Sequence, residues 1–98
     1  MHAFQKKVLD IVKKIPRGKL MIYMQLAKKL HSSPRAVGRA LATNPFPDKV
    51  PCFRVVMSNC KVGGYKLGAK QKIKLLKKDG FTIKNGKILR LTKKAIFG

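Results

Sequence analysis

The sequence predicts a mainly α-helical domain with small β elements, a winged helix-turn-helix-like fold that ends in a C-terminal β-hairpin. Three features favour this fold class. Apolar residues recur at helical spacing in several short segments, a Ser-Pro pair at 33–34 separates two of these segments, and Asn85-Gly86 lies between two β-rich stretches. The 98 residues, 45% of them hydrophobic, suffice for one compact domain and are too few for two. We therefore expect residues 1–98 to form a single domain.

The most pronounced property of the composition is its positive charge. Lys and Arg number 24 and Asp and Glu 3, which gives a formal net charge of +21. A domain this basic binds polyanions through its general field, so nucleic acid is the favoured class of partner. A membrane is disfavoured because no apolar run approaches about 18 residues. The N-terminal residues lack the apolar stretch of a signal peptide, so we expect an intracellular protein, cytoplasmic or nucleoid-associated.

The two cysteines indicate neither a metal site nor a disulfide framework. Cys52 and Cys60 are eight positions apart, with no second cysteine pair and no cluster of histidines. We expect reduced thiols, no bound metal, no cofactor and a monomeric protein. Taken by itself, a single cysteine between Pro51 and Phe53 is more often a small core residue than a nucleophile.

The first predicted helix spans residues 2–15 and is amphipathic. Its apolar positions are Phe4, Val8, Ile11, Val12 and Ile15, and Pro16 and Gly18 end it. A short strand is expected at residues 19–22, before a second helix at residues 23–30.

A third helix, residues 35–42, follows a tight break and forms a helix-turn-helix pattern with the second. Ser33 is a natural N-cap, and Pro34 fits the first helical position. The pattern places Val37, Ala40 and Leu41 inside the fold and Arg35, Ala36 and Arg39 outside. The small residues Ala36 and Gly38 allow the helix backbone to approach a groove closely while the two arginines reach phosphates or bases.

The second half of the chain predicts little regular structure before its last helix. Residues 44–51 contain three prolines and cannot form a regular element. Strand character is expected at residues 53–57, a turn at 58–61 and a helix at 69–79 that ends at Gly80. The hairpin, residues 81–92, turns at Asn85-Gly86 and is interpreted as a small wing.

Four stretches of the sequence carry a family resemblance. They are residues 15–27 (Ile-Pro-Arg-Gly through Tyr-Met-Gln-Leu-Ala), residues 35–45 (Arg-Ala-Val-Gly-Arg-Ala-Leu through Asn-Pro), residues 51–56 (Pro-Cys-Phe-Arg-Val-Val) and residues 63–65 (Gly-Gly-Tyr). Their order and spacing resemble the DNA-binding and active-site domain of the O6-alkylguanine-DNA alkyltransferases, over about residues 4–80. The short chain and its hairpin are similar to the compact alkyltransferase-like proteins, and the usual N-terminal domain of the family is expected to be absent.

The resemblance implies a DNA repair protein that binds double-stranded DNA through the minor groove and flips an alkylated guanine out of the duplex. The alkyl group would then pass irreversibly to Cys52. The resemblance assigns Tyr23 to flipping the nucleotide, Arg35 to filling the vacated place in the stack, and Asn44 to joining the recognition helix to the active-site turn. It also implies DNA contacts by Ala36, Gly38 and Arg39, and a lesion pocket built from Pro51, Phe53, Arg54, Val55, Tyr65, Lys66 and Leu67.

Three departures from the family pattern affect the expected chemistry. Phe53 stands where the family has the histidine that takes the cysteine's proton, and Asp79 replaces the glutamate that holds this histidine, so Asp79 is expected as a remnant of a relay. Losing a general base typically costs roughly 10²–10⁴ in rate. Lys66 replaces a serine that bonds the guanine O6, and we expect it to donate to that oxygen or to point at phosphate. Leu67 replaces a glycine and is expected to narrow the pocket against bulky adducts.

Three functions remain open at this point. The first is a single-turnover methyltransferase with weakened activation of Cys52. The second is a non-enzymatic sensor that binds O6-alkylguanine and signals to downstream repair proteins, and the third is a generic basic DNA-binding protein. Tyr23, Arg35 and Asn44 together favour lesion flipping over generic binding. The retained Cys52 favours transfer, whereas Phe53 favours the sensor.

Overall fold

A computed structural model describes residues 3–46, 49–89 and 91–98 of the chain. The helices are Ala3–Val12 (α1), Tyr23–Lys29 (α2), Pro34–Ala42 (α3) and Ala69–Lys78 (α4). The strands are Met21–Ile22 (β1), Val55–Val56 (β2), Ile83–Lys84 (β3) and Lys87–Ile88 (β4), and 3₁₀ turns form at Cys52–Arg54 and Lys93–Ala95. The predicted mainly helical fold with small β elements is confirmed at this level.

Helix α1 ends earlier than the sequence pattern predicts. The predicted helix extends to Ile15, whereas the structure ends α1 at Val12 and continues in tighter i→i−3 hydrogen bonds, from Lys14 N to Ile11 O at 3.1 Å and from Ile15 N to Val12 O at 3.0 Å. Ile15 is nevertheless buried, because this tight turn keeps its side chain on the core side. The predicted first residue, His2, lies outside the described residues.

The break between α2 and α3 has the hydrogen bonds of a Schellman motif. Ser32 N donates to Ala27 O at 2.8 Å and His31 N to Lys28 O at 3.3 Å, with His31 in the left-handed region at a φ of 52°. As predicted, Ser33 caps α3: its side chain accepts a 3.1 Å hydrogen bond from Ala36 N. The predicted inward face of α3, residues 37, 40 and 41, is buried.

The strand predicted at residues 53–57 is shorter in the structure. Residues 52–54 form a 3₁₀ turn, in which Arg54 N donates to Pro51 O at 2.9 Å, and only Val55 and Val56 continue as a strand. This strand pairs in parallel with β1, in the register Met21 with Val55. The pairing brings the start of α2 beside the Cys52 turn.

The C-terminal residues form an antiparallel pair and then return to β1. Strands β3 and β4 pair around Asn85 and Gly86, whose φ values of 53° and 73° suit a tight hairpin turn. Residues 95–97 then run beside β1, where Leu20 N donates to Ala95 O at 2.7 Å and Phe97 N to Leu20 O at 2.8 Å. Arg90, which the sequence places in the hairpin, lies outside the described residues.

Buried side chains of the described residues form two clusters. The first packs α1, α2 and α3 together and includes Cys52, whereas the second joins Phe53 to Leu76 of α4 and Ile88 of β4. The neighbouring side chains of Cys52 and Phe53 therefore belong to different clusters. No helix in the described part of the chain combines the length and apolar character needed to cross a membrane.

Candidate functional site

A cavity of about 560 Å³ opens between α2, α3 and the loop before α4. Tyr23 and Met24 of α2 form one side, and Arg35 and Gly38 of α3 form another. Cys52 and the loop of residues 63–66 complete the wall. The structure thus brings together Cys52, Tyr23, Arg35 and the stretch of residues 63–65, which are far apart in the sequence.

Asn44 connects the end of α3 to the thiol. It is fully buried, and its Nδ2 lies 3.5 Å from Cys52 Sγ as a hydrogen-bond donor. Its Oδ1 accepts from Phe46 N at 2.8 Å, and its backbone N donates to Leu41 O at 3.1 Å. These bonds fix the amide in an orientation that donates toward the sulfur, because the other end of the amide is held as an acceptor.

Lys66 lies on the cavity wall and is tied to the same asparagine. Its Nζ donates to Asn44 O at 2.7 Å, which joins the loop before α4 to the segment after α3. The next residue, Leu67, does not line this cavity and is 51% exposed. The expectation that Leu67 narrows the pocket stays a prediction. The turn closed by Gly68 N and Tyr65 O, 3.0 Å apart, directs Lys66 toward the cavity and Leu67 toward solvent.

Tyr23 shares an acceptor with a buried lysine that the sequence pattern did not reveal. Tyr23 Oη donates to Gly64 O at 3.4 Å, and Lys72 Nζ donates to the same oxygen at 3.0 Å and to Val55 O at 2.7 Å. The Lys72 ammonium also lies 5.6 Å from the centroid of the Tyr23 ring. Lys72 has no exposed surface although it is one of the many lysines of α4.

Burial shifts the pKa values of Tyr23 and Lys72 in opposite directions. It raises the pKa of Tyr23 to about 12, with a smaller contribution from a negative charge on Cys52. Burial also lowers the pKa of Lys72 to about 8, and the charge on Cys52 opposes this shift. Tyr23 therefore keeps its proton near neutral pH, and Lys72 changes charge only slightly above it.

The position of Lys72 on the helical wheel of α4 is the sequence signal that would have indicated its burial. It precedes Leu76 by one i, i+4 step, so both residues share the face of α4 that packs on the core. A lysine on that face is buried, whereas Lys70, Lys74 and Lys77 are exposed.

Arg54 and Asp79 pair with each other and do not line the cavity. Arg54 Nε donates to Asp79 Oδ2 at 2.7 Å and its second nitrogen to Oδ1 at 3.2 Å, a bidentate pair, while a third donates to Ile15 O at 3.0 Å. This pair fastens the end of α4 to the Cys52 turn. The predicted roles of Arg54 in the pocket and of Asp79 in a relay stay predictions, and both oxygens of Asp79 are engaged by Arg54.

Phe53 packs in the core rather than on the cavity wall. Its ring meets Tyr65 edge to face, with centroids 6.5 Å apart and an interplanar angle of 79°, and the Arg54 guanidinium lies 5.0 Å from its centroid. Of the predicted pocket residues, Tyr65 and Lys66 line the cavity, whereas Pro51 and Val55 support the turn that carries Cys52.

The exposed face of α3 borders the cavity on the side open to solvent. Arg35 lines both the cavity and a shallow groove between α1 and α3, and Ala36 and Arg39 line that groove. Two methionines at the cavity, Met24 and Met57, are 44% and 40% exposed, a feature for which the sequence gave no signal. Arg35 therefore joins the groove along α3 to the cavity that contains the thiol.

Comparison with known proteins agrees with this geometry. The family model described as 6-O-methylguanine DNA methyltransferase, DNA binding domain, matches residues 3–81. A methylated-DNA–protein-cysteine methyltransferase of Methanocaldococcus jannaschii is 53% identical over 76 residues, which are 78% of this chain and 45% of that protein. The chain spans about half the length of the curated relatives it matches.

Two solved structures resemble this chain, each over a different fraction of its own length. The O6-methylguanine-DNA methyltransferase of Pyrococcus kodakaraensis is 43% identical with a TM-score of 0.76, over 82% of this chain and 47% of that one. S. pombe Atl1, in complex with damaged DNA containing O6-carboxymethylguanine, is 25% identical with a TM-score of 0.84, over 100% of this chain and 97% of that one.

Proposed function

Since the chain belongs to the family of 6-O-methylguanine DNA methyltransferases, we propose that it binds duplex DNA containing O6-alkylguanine, flips the damaged base, and transfers the alkyl group to Cys52 in a single turnover. The observation that carries this proposal is the position of the thiol. Cys52 is buried but lines a cavity of about 560 Å³ that opens beside the exposed face of α3, so a flipped base has a route to it.

The DNA-binding surface is proposed to be α3 with its small residues in the minor groove. Ala36 and Gly38 permit close approach of the backbone, and Arg39 reaches the phosphates. Arg35, at the border of the cavity, is placed to fill the stack when the base leaves it. The β3–β4 pair would act as the wing of a winged helix-turn-helix, with Lys84 and Lys87 on its exposed positions.

The proposed chemical step is displacement at the alkyl carbon. The Cys52 thiolate attacks this carbon, a sulfur–carbon bond forms, and the bond from carbon to O6 breaks with its electron pair left on guanine, which then takes up a proton. Asn44 donates toward the sulfur. Tyr23 keeps its proton because its pKa is raised to about 12, and its hydroxyl would exchange the 3.4 Å hydrogen bond to Gly64 O for one to the base. The Lys66 ammonium on the wall would stabilise the charge that develops on the departing base.

A second candidate function is a lesion sensor that holds O6-alkylguanine without reacting and signals to downstream repair proteins. Phe53 favours this candidate because its ring belongs to the core and cannot accept a proton. The similarity to S. pombe Atl1, a structure in complex with damaged DNA, also supports this candidate.

One experiment separates these candidates. The protein is incubated with an oligonucleotide duplex carrying O6-methylguanine, and the intact mass and the Cys52 peptide are measured, with Cys52→Ala as the control. A methyl group on Cys52 supports transfer. An unmodified Cys52 together with tighter binding to the damaged duplex establishes the sensor. Equal affinity for damaged and plain duplex, with a steep dependence on salt, leaves only generic binding.

A further inference from the structure

Lys72 is a buried titratable group that the proposed step does not use. A lysine is almost never fully buried unless it is paired, because the charged form loses its hydration. In this chain the side chain has no exposed surface, and its Nζ donates to Val55 O at 2.7 Å and Gly64 O at 3.0 Å. Methionine at this position would fill the same space without desolvating a charge, so packing alone does not account for a lysine.

The two carbonyl oxygens place the ammonium directly behind the cavity wall that contains the thiol. Gly64 lines the cavity, and its oxygen also accepts from Tyr23, another wall residue. Val55 follows the Cys52 turn, and its N donates to Cys52 O. One cation thus holds the segment that carries the thiol and the loop that faces it.

We propose that the Lys72 ammonium is the internal charge partner of the Cys52 thiolate, in a site where Phe53 leaves no imidazole to serve it. The inference rests on the proposed function of Cys52 and deepens it. The thiol proton passes to water in the cavity, and the fixed positive charge behind the wall balances the thiolate that remains. Lys72 acts through space on the sulfur, so it is a positioning residue for the reaction.

The charged and titratable groups around this pair are few in the described part of the chain. Tyr23 on α2 stays neutral because its pKa is raised to about 12. Arg35 on α3 and Lys66 on the loop line the same cavity. Lys72 changes its charge in the accessible pH range, since its pKa is lowered to about 8. The support that it gives to the thiolate is therefore present below about pH 8 and weakens above it.

The test measures the reactivity of the thiol without DNA. In a Cys60→Ser background, the rate at which iodoacetamide modifies Cys52 is followed from pH 6 to 10 for the unchanged site, Lys72→Met and Lys74→Met. Lys74 is exposed on the same helix and serves as the matched control for net charge. We expect Lys72→Met to slow the reaction at pH 7 by about tenfold, a difference that shrinks as the pH rises, and Lys74→Met to change it by less than about twofold. Equal profiles for the two variants would overturn the proposal.

A second measurement leaves Lys72 in place, which matters if Lys72→Met does not fold. Nuclear magnetic resonance of ¹³C-labelled lysine gives the titration midpoint of Lys72 in the protein and in Cys52→Ser. We expect the midpoint to fall when the thiolate is removed, because the two charges stabilise each other. An unchanged midpoint contradicts the proposal. Neither measurement uses alkylated DNA, so a failure of methyl transfer would count against the proposed function alone.

Discussion

Replacing Lys72 by methionine should remove one specific dependence of stability on pH. The pKa of Lys72 is lowered from 10.5 to about 8 by burial. Between these values the unfolded chain binds more protons at this position than the folded chain, so the free energy of unfolding rises with pH. At about 1.4 kcal/mol per pH unit, the full rise is about 3 kcal/mol, most of it gained below pH 10.

Urea unfolding followed by circular dichroism from pH 7 to 10 measures this rise. The upper limit matters because the raised pKa of Tyr23, about 12, acts in the opposite direction above pH 10, where the unfolded tyrosine loses its proton first. Lys74→Met is the control, because it removes one positive charge from the protein, as Lys72→Met does, but from an exposed position. Over this range the free energy of unfolding of the unchanged protein should rise by about 2–3 kcal/mol more than that of Lys72→Met. Parallel curves for all three proteins would refute a buried, titrating Lys72.

Three further predictions concern the ion pair, the residue beside the thiol and the DNA surface. Asp79→Asn leaves the Arg54 charge without its bidentate partner and should lower the free energy of unfolding by about 3 kcal/mol. The exposed Asp10→Asn is the control and should change it little, so equal losses for the two variants in urea unfolding would contradict a structural ion pair. Phe53→His should raise the single-turnover rate of methyl transfer by up to about a hundredfold, and an unchanged rate would show that a proton acceptor is not limiting. Arg39→Ala should weaken binding to damaged and plain duplex alike and reduce the salt slope by about one, whereas a loss confined to damaged duplex would contradict a phosphate contact.

The helical part of the fold could be predicted because its signals are local. Apolar spacing and the Ser33 N-cap depend on residues within one or two turns, and the structure has both as expected. The parallel pairing of β1 with β2 has no local signal, since each strand is two residues long and the partners lie far apart in the sequence. The end of α1 was placed too late because Ile15 is buried by a tight turn rather than by a helix.

The residues of the site could be predicted only where the family resemblance singled them out. A cysteine and an asparagine that meet at 3.5 Å agree with the resemblance that suggested them. In a chain with a net charge of +21 most lysines are expected in solvent, so the residue type alone does not indicate that Lys72 is buried. The resemblance assigns both Lys66 and Leu67 to the lesion pocket, and of these two residues Lys66 lines the described cavity.

The position of Phe53 shows how the site can differ from the family without losing its architecture. Its ring packs against Tyr65 and under the Arg54 guanidinium, so Phe53 supports both the segment that carries the thiol and the facing loop. Under the proposed function, Tyr23, Arg35 and Asn44 keep the residue types that the resemblance assigns to flipping the base and joining α3 to the thiol, whereas Phe53 offers no proton acceptor beside Cys52. The proposed charge partnership between Lys72 and the Cys52 thiolate would then take over part of the task of activating the thiol.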